Sequence, residues 1–216
     1  MVKRVVAPMK IAIVANGTLS KTNFIKAELC RADIIICADG GANKISKLGI
    51  VPNYVIGDLD SLSKDFISKL KKKVKVIRDS DQDSTDLQKA IALAERLRPN
   101  EITILGAIGD NLDHTISNVY CLDMINPKIK ARLLDDKNEV FLVKSSIELN
   151  GKKGDTVSII PISEVKELSY HGLKWGVKDK DVSPTWFGTR NQMVGSKCRI
   201  SLKKGKVLVI KITGDG

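Results

Sequence analysis

Acidic side chains are concentrated at a few points in the first half of a chain whose formal net charge is +11. The densest group places Asp79, Asp81, Asp83 and Asp86 within eight positions. Carboxylates this close repel one another, so a cation between them would be stabilising. Hard cations such as Mg²⁺ prefer carboxylate oxygens and commonly add water and substrate phosphates as further ligands. The pattern therefore indicates metal-assisted chemistry on a phosphate compound.

Three further motifs combine aspartate with glycine: Asp39 in ADGGAN (38–43), Asp58 and Asp60 in GDLDS (57–61), and Asp110 and Asp113 in GAIGDNLDH (106–114). Glycine beside a carboxylate lets a phosphate approach the backbone closely. Aspartate is also common in turns and helix caps, so it is the succession of motifs that carries weight. Neither G-x-x-x-x-G-K-[ST] nor G-x-G-x-x-G follows the first strand-like segment, where Asn16-Gly17 fits either a nucleotide contact or a turn.

The segments that would position these motifs alternate between strand-like and helix-like patterns. Short apolar runs predict buried strands, and helical periodicity predicts helices between them. This alternation predicts a Rossmann-like parallel sheet with helices on both faces, whose ligands bind beyond the carboxyl ends of the strands. The acidic motifs follow strands two to five, so we expect them on one rim. The predicted strands are 11–14, 34–37, 54–56, 74–77, 102–105 and 131–134, and the predicted helices are 22–31, 41–48, 63–70, 84–98 and 112–125.

The pattern changes between Asp135 and Glu139. Short strand-like runs separated by glycine-containing turns replace the alternation, and we expect no helix among them. The sequence therefore predicts two domains, an α/β domain over 1–136 and an all-β domain over 137–216. The predicted strands of the second domain are 140–143, 156–160, 167–170, 199–202 and 207–212.

Composition argues against several other classes of protein. No apolar run approaches the roughly 18–20 residues that span a membrane, and the first residues do not resemble a signal peptide. The four cysteines are scattered without a C-x-x-C pair, which argues against a zinc site or disulfide framework and favours a reducing cytoplasm. The basic charge raises the question of nucleic acid, but aromatic residues make up only 4% of the chain. A lysine-rich solvated surface explains the charge more simply.

The four motifs, in this order and spacing, closely resemble the thiamine pyrophosphokinase family. Gly172-Leu173-Lys174-Trp175 extends the resemblance over nearly the whole chain. The resemblance implies an ATP-dependent enzyme, usually a homodimer, that converts thiamine and ATP to thiamine diphosphate and AMP. It also implies that domain 1–136 binds ATP and Mg²⁺, and that domain 137–216 is a β-sandwich contributing to the thiamine site and to dimerisation.

The resemblance further implies roles for individual residues. The magnesium ligands would be Asp58, Asp60 and Asp86. The residues along ATP would be Asp39, Gln82 and Thr85. Asp113 would face the reacting alcohol or the aminopyrimidine, as the candidate base. Trp175 would stack on thiamine from the partner subunit, and Asn191 would add a hydrogen bond.

Two departures from the family pattern leave the substrate open. Asn111 stands where many relatives have arginine, and Arg190 replaces the serine before Asn191. Because thiamine is a cation, we expect Arg190 to point away from it. One alternative is pyrophosphoryl transfer to another small alcohol, such as a hydroxymethylpterin. The other is a non-enzymatic nucleotide- or RNA-binding protein, whose binding would be strongly salt-dependent and would not need magnesium.

Overall fold

The computed structural model describes residues 8–19, 22–63, 67–68, 74–109 and 111–212. Asp110, the basic run 71–73 and part of the predicted helix 63–70 lie outside these residues. The chain divides into two compact units, Met1–Asp135 and Asp136–Gly216.

The first unit is built on a parallel sheet. Its strands lie in the order β6-β5-β1-β2-β3-β4, and every neighbouring pair is parallel. On the central strand β1, Ala12 and Val14 pack in one core cluster with residues of the first two helices. Their alternate neighbours Ile11 and Ile13 are also buried, so both faces of the strand are covered. The strands are β1 (Lys10–Val14), β2 (Ile34–Ala38), β3 (Tyr54–Gly57), β4 (Lys75–Arg78), β5 (Glu101–Leu105) and β6 (Lys130–Leu134).

Four helices follow strands of this sheet within the described residues: α1 (Thr22–Cys30), α2 (Gly41–Ser46), α3 (Asp86–Arg96) and α4 (Leu112–Tyr120). A 3₁₀ turn, Cys121–Met124, continues α4, where the sequence predicted one longer helix. The predicted helix 84–98 is α3, two residues shorter at each end, and it begins at Asp86 because Thr85 is its N-cap. Within the described residues, no helix combines the length and apolar character that crossing a membrane requires.

The second unit contains strands and no helix among its described residues 136–212. Its two antiparallel sheets have the orders β12-β9-β14-β7 and β11-β10-β13-β8. Val157 and Val209 of one sheet share a core cluster with Leu168 and Ile200 of the other, so the sheets form a sandwich. The strands are β7 (Asn138–Val143), β8 (Ser146–Asn150), β9 (Thr156–Pro161), β10 (Val165–His171), β11 (Val177–Val182), β12 (Gly188–Gln192), β13 (Lys197–Ser201) and β14 (Val207–Ile212).

The predicted fold class is therefore confirmed: a parallel sheet with helices, followed by a sandwich of antiparallel sheets. Every predicted strand has an observed counterpart, displaced by at most a few residues at its ends. Three observed strands, β8, β11 and β12, have no predicted counterpart.

Candidate functional site

A cavity of about 880 Å³ lies in the first unit. Its walls come from the segments that follow β1 to β5, which is where the topology of an open parallel sheet places a ligand. The cavity is lined by all seven residues predicted for a site in this unit: Asp39, Asp58, Asp60, Gln82, Thr85, Asp86 and Asp113.

One wall of the cavity depends on close backbone contact at Gly17. Its N–H donates to the carbonyl oxygen of Gly106 at 2.8 Å. A Cβ atom at Gly17 would lie 2.2 Å from that oxygen, so a larger residue would push the two loops apart. The Asn16-Gly17 turn is thus part of the cavity wall.

Three carboxylates converge in the cavity. One oxygen each from Asp39, Asp58 and Asp86 lies within 4.8 Å of the other two. These residues, called here the carboxylate trio, follow β2, follow β3 and begin α3. Asp60, predicted as a metal ligand, lines the same cavity outside the trio, and its backbone N–H donates to Oδ1 of Asp58 at 3.1 Å. Asp39, predicted to lie beside ATP, is the third member instead.

The approach of the trio depends on the glycine at position 57. A Cβ atom there would lie 2.8 Å from Oδ1 of Asp86 and 3.1 Å from Cβ of Asp39, and the φ angle of Gly57 is +149°. Asp39 has a φ of 40°, a conformation that costs a non-glycine residue energy. Within the described residues, its buried Oδ1 has no hydrogen-bond partner. A buried orphan oxygen beside two other carboxylates fits a ligand for a hard cation.

Electrostatics at the trio centre on Asp86. Burial raises the pKa of its carboxyl group, and the nearby charges of Asp39 and Asp58 raise it further. Lys89 and a hydrogen bond from the backbone of Asp58 act in the opposite direction. The net upward shift means that the negative charge of Asp86 lacks sufficient compensation within the protein itself.

Two lysines that the sequence analysis did not single out also line the cavity, Lys44 on α2 and Lys89 on α3. Lys89 is only 7% exposed, which is rare for a lysine. In the sequence, Lys89 could have been recognised as a charged residue among the apolar residues of α3, at helical spacing from Asp86. Lys44 follows ADGGAN directly, so its signal was proximity to a motif.

The side chains of the remaining predicted residues of this unit differ in the hydrogen bonds that they already make within the protein. The Thr85 side chain and that of Gln88 form a capping box at the start of α3. Gln82 is exposed, and its amide donates weakly, at 3.3 Å, to the carbonyl oxygen of Ser80. Asp113 is exposed and accepts from the backbone N–H of His114 at 2.8 Å.

The predicted substrate-binding residues of the second unit form a separate arrangement. Trp175 is 56% exposed, and Nζ of Lys174 lies 4.8 Å from its ring centroid. Asn191 is buried, and its amide brackets the Trp175 backbone: it accepts from the N–H at 3.1 Å and donates to the carbonyl oxygen at 2.7 Å. Asn191 therefore positions Trp175, and its predicted hydrogen bond to substrate stays a prediction. Arg190 beside it is exposed, with a φ of 55°.

Comparison with known proteins agrees with the motifs. The family model described as "Thiamin pyrophosphokinase, catalytic domain" matches residues 25–133. The model described as "Thiamin pyrophosphokinase, vitamin B1 binding domain" matches residues 144–207. The two matches fall in the first and second structural units respectively.

Individual relatives match over most of the chain. The thiamine pyrophosphokinase of Bacillus subtilis (strain 168) is 26% identical over 211 residues, covering 94% of this chain and 98% of that protein. That of Saccharomyces cerevisiae is 26% identical over 253 residues, covering 85% and 79%.

Solved structures match as well. The crystal structure of the Bacillus subtilis thiamine pyrophosphokinase superposes with a TM-score of 0.84 at 25% identity, covering 94% of this chain and 99% of that one. The structure from Geobacillus thermodenitrificans has the same fold, with a TM-score of 0.82 at 24% identity and coverage of 96% and 99%. Together with the family models, these matches confirm the resemblance seen in the four motifs. The chain belongs to the thiamine pyrophosphokinase family of ATP-dependent pyrophosphotransferases.

Proposed function

We propose that this chain transfers the pyrophosphoryl group of ATP to thiamine in the cavity of the first unit. The hydroxyl oxygen of thiamine attacks the β-phosphorus. The bond from that phosphorus to the oxygen bridging the α-phosphate breaks, and AMP leaves. The observation that carries the proposal is the convergence of Asp39, Asp58 and Asp86 in one large cavity at the carboxyl ends of the sheet.

The trio fits a magnesium site. Its donor set is all carboxylate oxygen, one of those oxygens is buried without a partner, and Gly57 leaves room for the group to close. Asp39, Asp58 and Asp86 would hold Mg²⁺, with Asp60 close by in the same cavity. Bound Mg²⁺ supplies positive charge that offsets the charge developing on the phosphate oxygens.

The protein's own residues orient the phosphates. The cavity of about 880 Å³ is large enough for a nucleotide together with a second small substrate. Lys44 supplies a positive charge in the wall, and Gln82 supplies an exposed amide. Asp113 is exposed in the same wall and can accept the proton of the attacking alcohol. A loose transition state makes little demand on a base, so positioning contributes more than proton transfer.

Trp175 suits the cationic thiazolium ring of thiamine. Its ring is largely exposed, and the ammonium group of Lys174 already lies over it, 4.8 Å from the centroid. A cation over an indole face is stabilised by about 0.5–2 kcal/mol, depending on its exposure to water. Thiamine can take this role with its own positive charge, while Asn191 keeps the Trp175 backbone in place.

A homodimer accounts for an apolar stripe on α4. No residue of this helix is buried, and four large apolar side chains at intervals of four residues are exposed along it and the 3₁₀ turn: Leu112, Ile116, Tyr120 and Met124. Exposed apolar stripes of this kind mark contact surfaces. Asp113 and His114 of the same helix line the cavity, so a second copy docked on α4 would lie close to it. We therefore propose that the partner subunit supplies Trp175.

A product assay tests the proposed function. The protein is incubated with ATP, Mg²⁺ and thiamine, and the products are separated by chromatography. We expect AMP and thiamine diphosphate in equal amounts, with no AMP when thiamine or Mg²⁺ is omitted. Formation of ADP with thiamine monophosphate would contradict pyrophosphoryl transfer. A parallel reaction with a hydroxymethylpterin tests the other alcohol, and salt-dependent RNA binding without Mg²⁺ tests the non-enzymatic alternative.

The four free thiols further support the proposal of a cytoplasmic location.

A further inference from the structure

Lys89 is a buried cation beside the carboxylate trio. Its ammonium group donates to the backbone carbonyl oxygens of Asp79 at 2.9 Å and Asp81 at 2.6 Å. The nearest carboxylate oxygens are farther away, at 3.9 Å for Asp79 and 3.8 Å for Asp86. Lys89 is the only buried charged residue of α3. Its shortest contacts are therefore with the backbone of the loop that precedes that helix.

Apart from Lys89, the loop 79–85 is held by hydrogen bonds and not by apolar packing. Its sequence, DSDQDST, has no apolar side chain that could anchor it in a core. Asp79 and Asp81 each accept from the backbone N–H two residues later at 3.1 Å, so the loop folds as successive local turns. The N–H of Asp79 also donates to the carbonyl oxygen of Gly57, which joins the loop to the end of β3. Lys89 ties the same loop to α3.

We propose that Lys89 is a positioning residue, which fixes loop 79–85 so that Gln82 and the neighbouring carboxylate of Asp86 are set in place before a nucleotide binds. The inference rests on the proposed function of the cavity. Lys89 acts through the loop rather than on the substrate. The loop is held from within the protein, and the nucleotide therefore does not have to order it.

A simple charge effect predicts the opposite result. A positive charge 3.8 Å from Oδ1 of Asp86 disfavours a second cation at the trio. If charge alone mattered, replacing Lys89 by a neutral residue would strengthen cation binding. If Lys89 positions the loop, the same change would weaken binding, because the two carbonyl oxygens lose their donor and the loop becomes mobile.

The test compares two lysines whose side chains are only 5% and 12% exposed, Lys89 and Lys211. Lys89→Met keeps the length of the side chain and removes the charge and the donors. Lys211→Met is the matched control: Nζ of Lys211 donates to the carbonyl oxygen of Asn150 at 2.8 Å and lies 3.9 and 3.8 Å from Glu139 and Asp155, in the second unit. Calorimetry measures binding of Mg²⁺ alone, for which the charge effect and the positioning effect have opposite signs, and binding of α,β-methylene ATP with Mg²⁺ in the absence of thiamine. We expect Lys89→Met to weaken binding about tenfold or more, and Lys211→Met to change it less than about twofold.

The outcomes separate the two proposals. If the unsubstituted protein does not bind the nucleotide analogue, the proposed function fails. If it binds and Lys89→Met binds Mg²⁺ as tightly as the unsubstituted protein or more tightly, the positioning role of Lys89 is overturned. Circular dichroism shows whether each variant is folded. If Lys89→Met does not fold, hydrogen exchange of the unsubstituted protein decides: the amides of Asp81 and Asp83 should be protected before nucleotide is added, and protection that appears only with nucleotide would overturn the proposal.

Discussion

Carboxylates that share a small volume destabilise a fold until a cation joins them. In the trio, the raised pKa of Asp86 records this cost, because burial and the charges of Asp39 and Asp58 all disfavour its ionised form. A carboxyl group with a raised pKa binds its proton more tightly in the folded protein than in the unfolded chain. Its ionisation therefore removes stability as the pH rises from the ordinary value of 3.8 through the raised value.

Asp86→Asn should consequently separate activity from stability. We expect it to lower turnover about a hundredfold or more, as removal of one electrostatic catalytic group commonly does. In metal-free buffer at pH 7, the variant should melt at the same temperature as the parent protein or a few degrees higher, because the amide cannot ionise. Any such gain should shrink as the pH is lowered through the raised pKa towards 3.8, because Asp86 of the folded parent takes up its proton above the ordinary value. Melting curves at several pH values measure this difference, and a large loss of stability at pH 7 would contradict the account.

Trp175→Ala should act on one substrate only. Removing the indole face takes away stabilisation of the thiazolium cation, so the KM for thiamine should rise about tenfold or more while the KM for ATP changes little. Trp186→Phe is the control. Nζ of Lys180 lies 5.4 Å from the ring centroid of Trp186, but Trp186 packs against the core of the sandwich. Equal increases in both KM values for Trp175→Ala would remove it from the thiamine site.

The residues that line the cavity could be predicted from the sequence. Which of their carboxylates come close to one another could not. In GDLDS, spacing alone cannot tell whether Asp58 or Asp60 turns towards the other carboxylates. Leu59 between them is buried with a φ of 68°, and only Asp58 belongs to the trio. Asp39 likewise has a positive φ, which no sequence pattern predicts.

At the scale of secondary structure, the start of α3 links helix stability to the site. Thr85, predicted to contact ATP, accepts from the N–H of Gln88, whose side chain in turn accepts from the N–H of Thr85 at 2.8 Å. This capping box satisfies two amides of the first turn, next to Asp86.

Thr85→Ala should therefore lower the free energy of unfolding by about 1 kcal/mol. Thr85→Asn should retain most of that stability, because asparagine is an equally good N-cap. Chemical unfolding measures both variants, and equal losses would show that the cap contributes nothing specific. Since Thr85→Asn keeps the cap and changes the side chain facing the cavity, its KM for ATP also tests the predicted nucleotide contact.

Elements with a strong apolar pattern were predictable, and elements without one were not. Central strands of the parallel sheet, such as β1 and β2, are buried on both faces and therefore read as continuous apolar runs. The three strands missing from the prediction, β8, β11 and β12, all lie at sheet edges. β11, for example, has the sequence VKDKDV, and its four central residues are exposed. Charged residues protect an edge strand from pairing with other chains, and they also remove the alternation by which a strand is recognised.

At the scale of the whole molecule, the exposed stripe on α4 is the feature that a single chain leaves unexplained. Side chains such as Leu112, 71% exposed, and Tyr120, 54% exposed, gain stability only when another surface covers them. Sequence periodicity predicted an apolar helix here, but could not show that its apolar residues remain outside the core. A dimer through this helix would require each cavity to lie near a subunit boundary.

If the partner subunit supplies Trp175, two variants that are each impaired at low thiamine concentration should complement each other. Asp58→Asn has a defective trio and an intact Trp175, whereas Trp175→Ala has the reverse. A mixed dimer then contains one site with both defects and one site with neither. After random exchange half of the dimers are mixed, so about a quarter of the sites should regain full activity at low thiamine concentration. Ile116→Glu introduced into both variants is the control, because a charge on the α4 stripe should prevent the dimer, and light scattering should then report monomers. Recovery in that monomeric background would show that the regained activity does not come from shared sites. No recovery in a mixture shown to exchange subunits would place Trp175 in the site of its own chain or outside the site altogether.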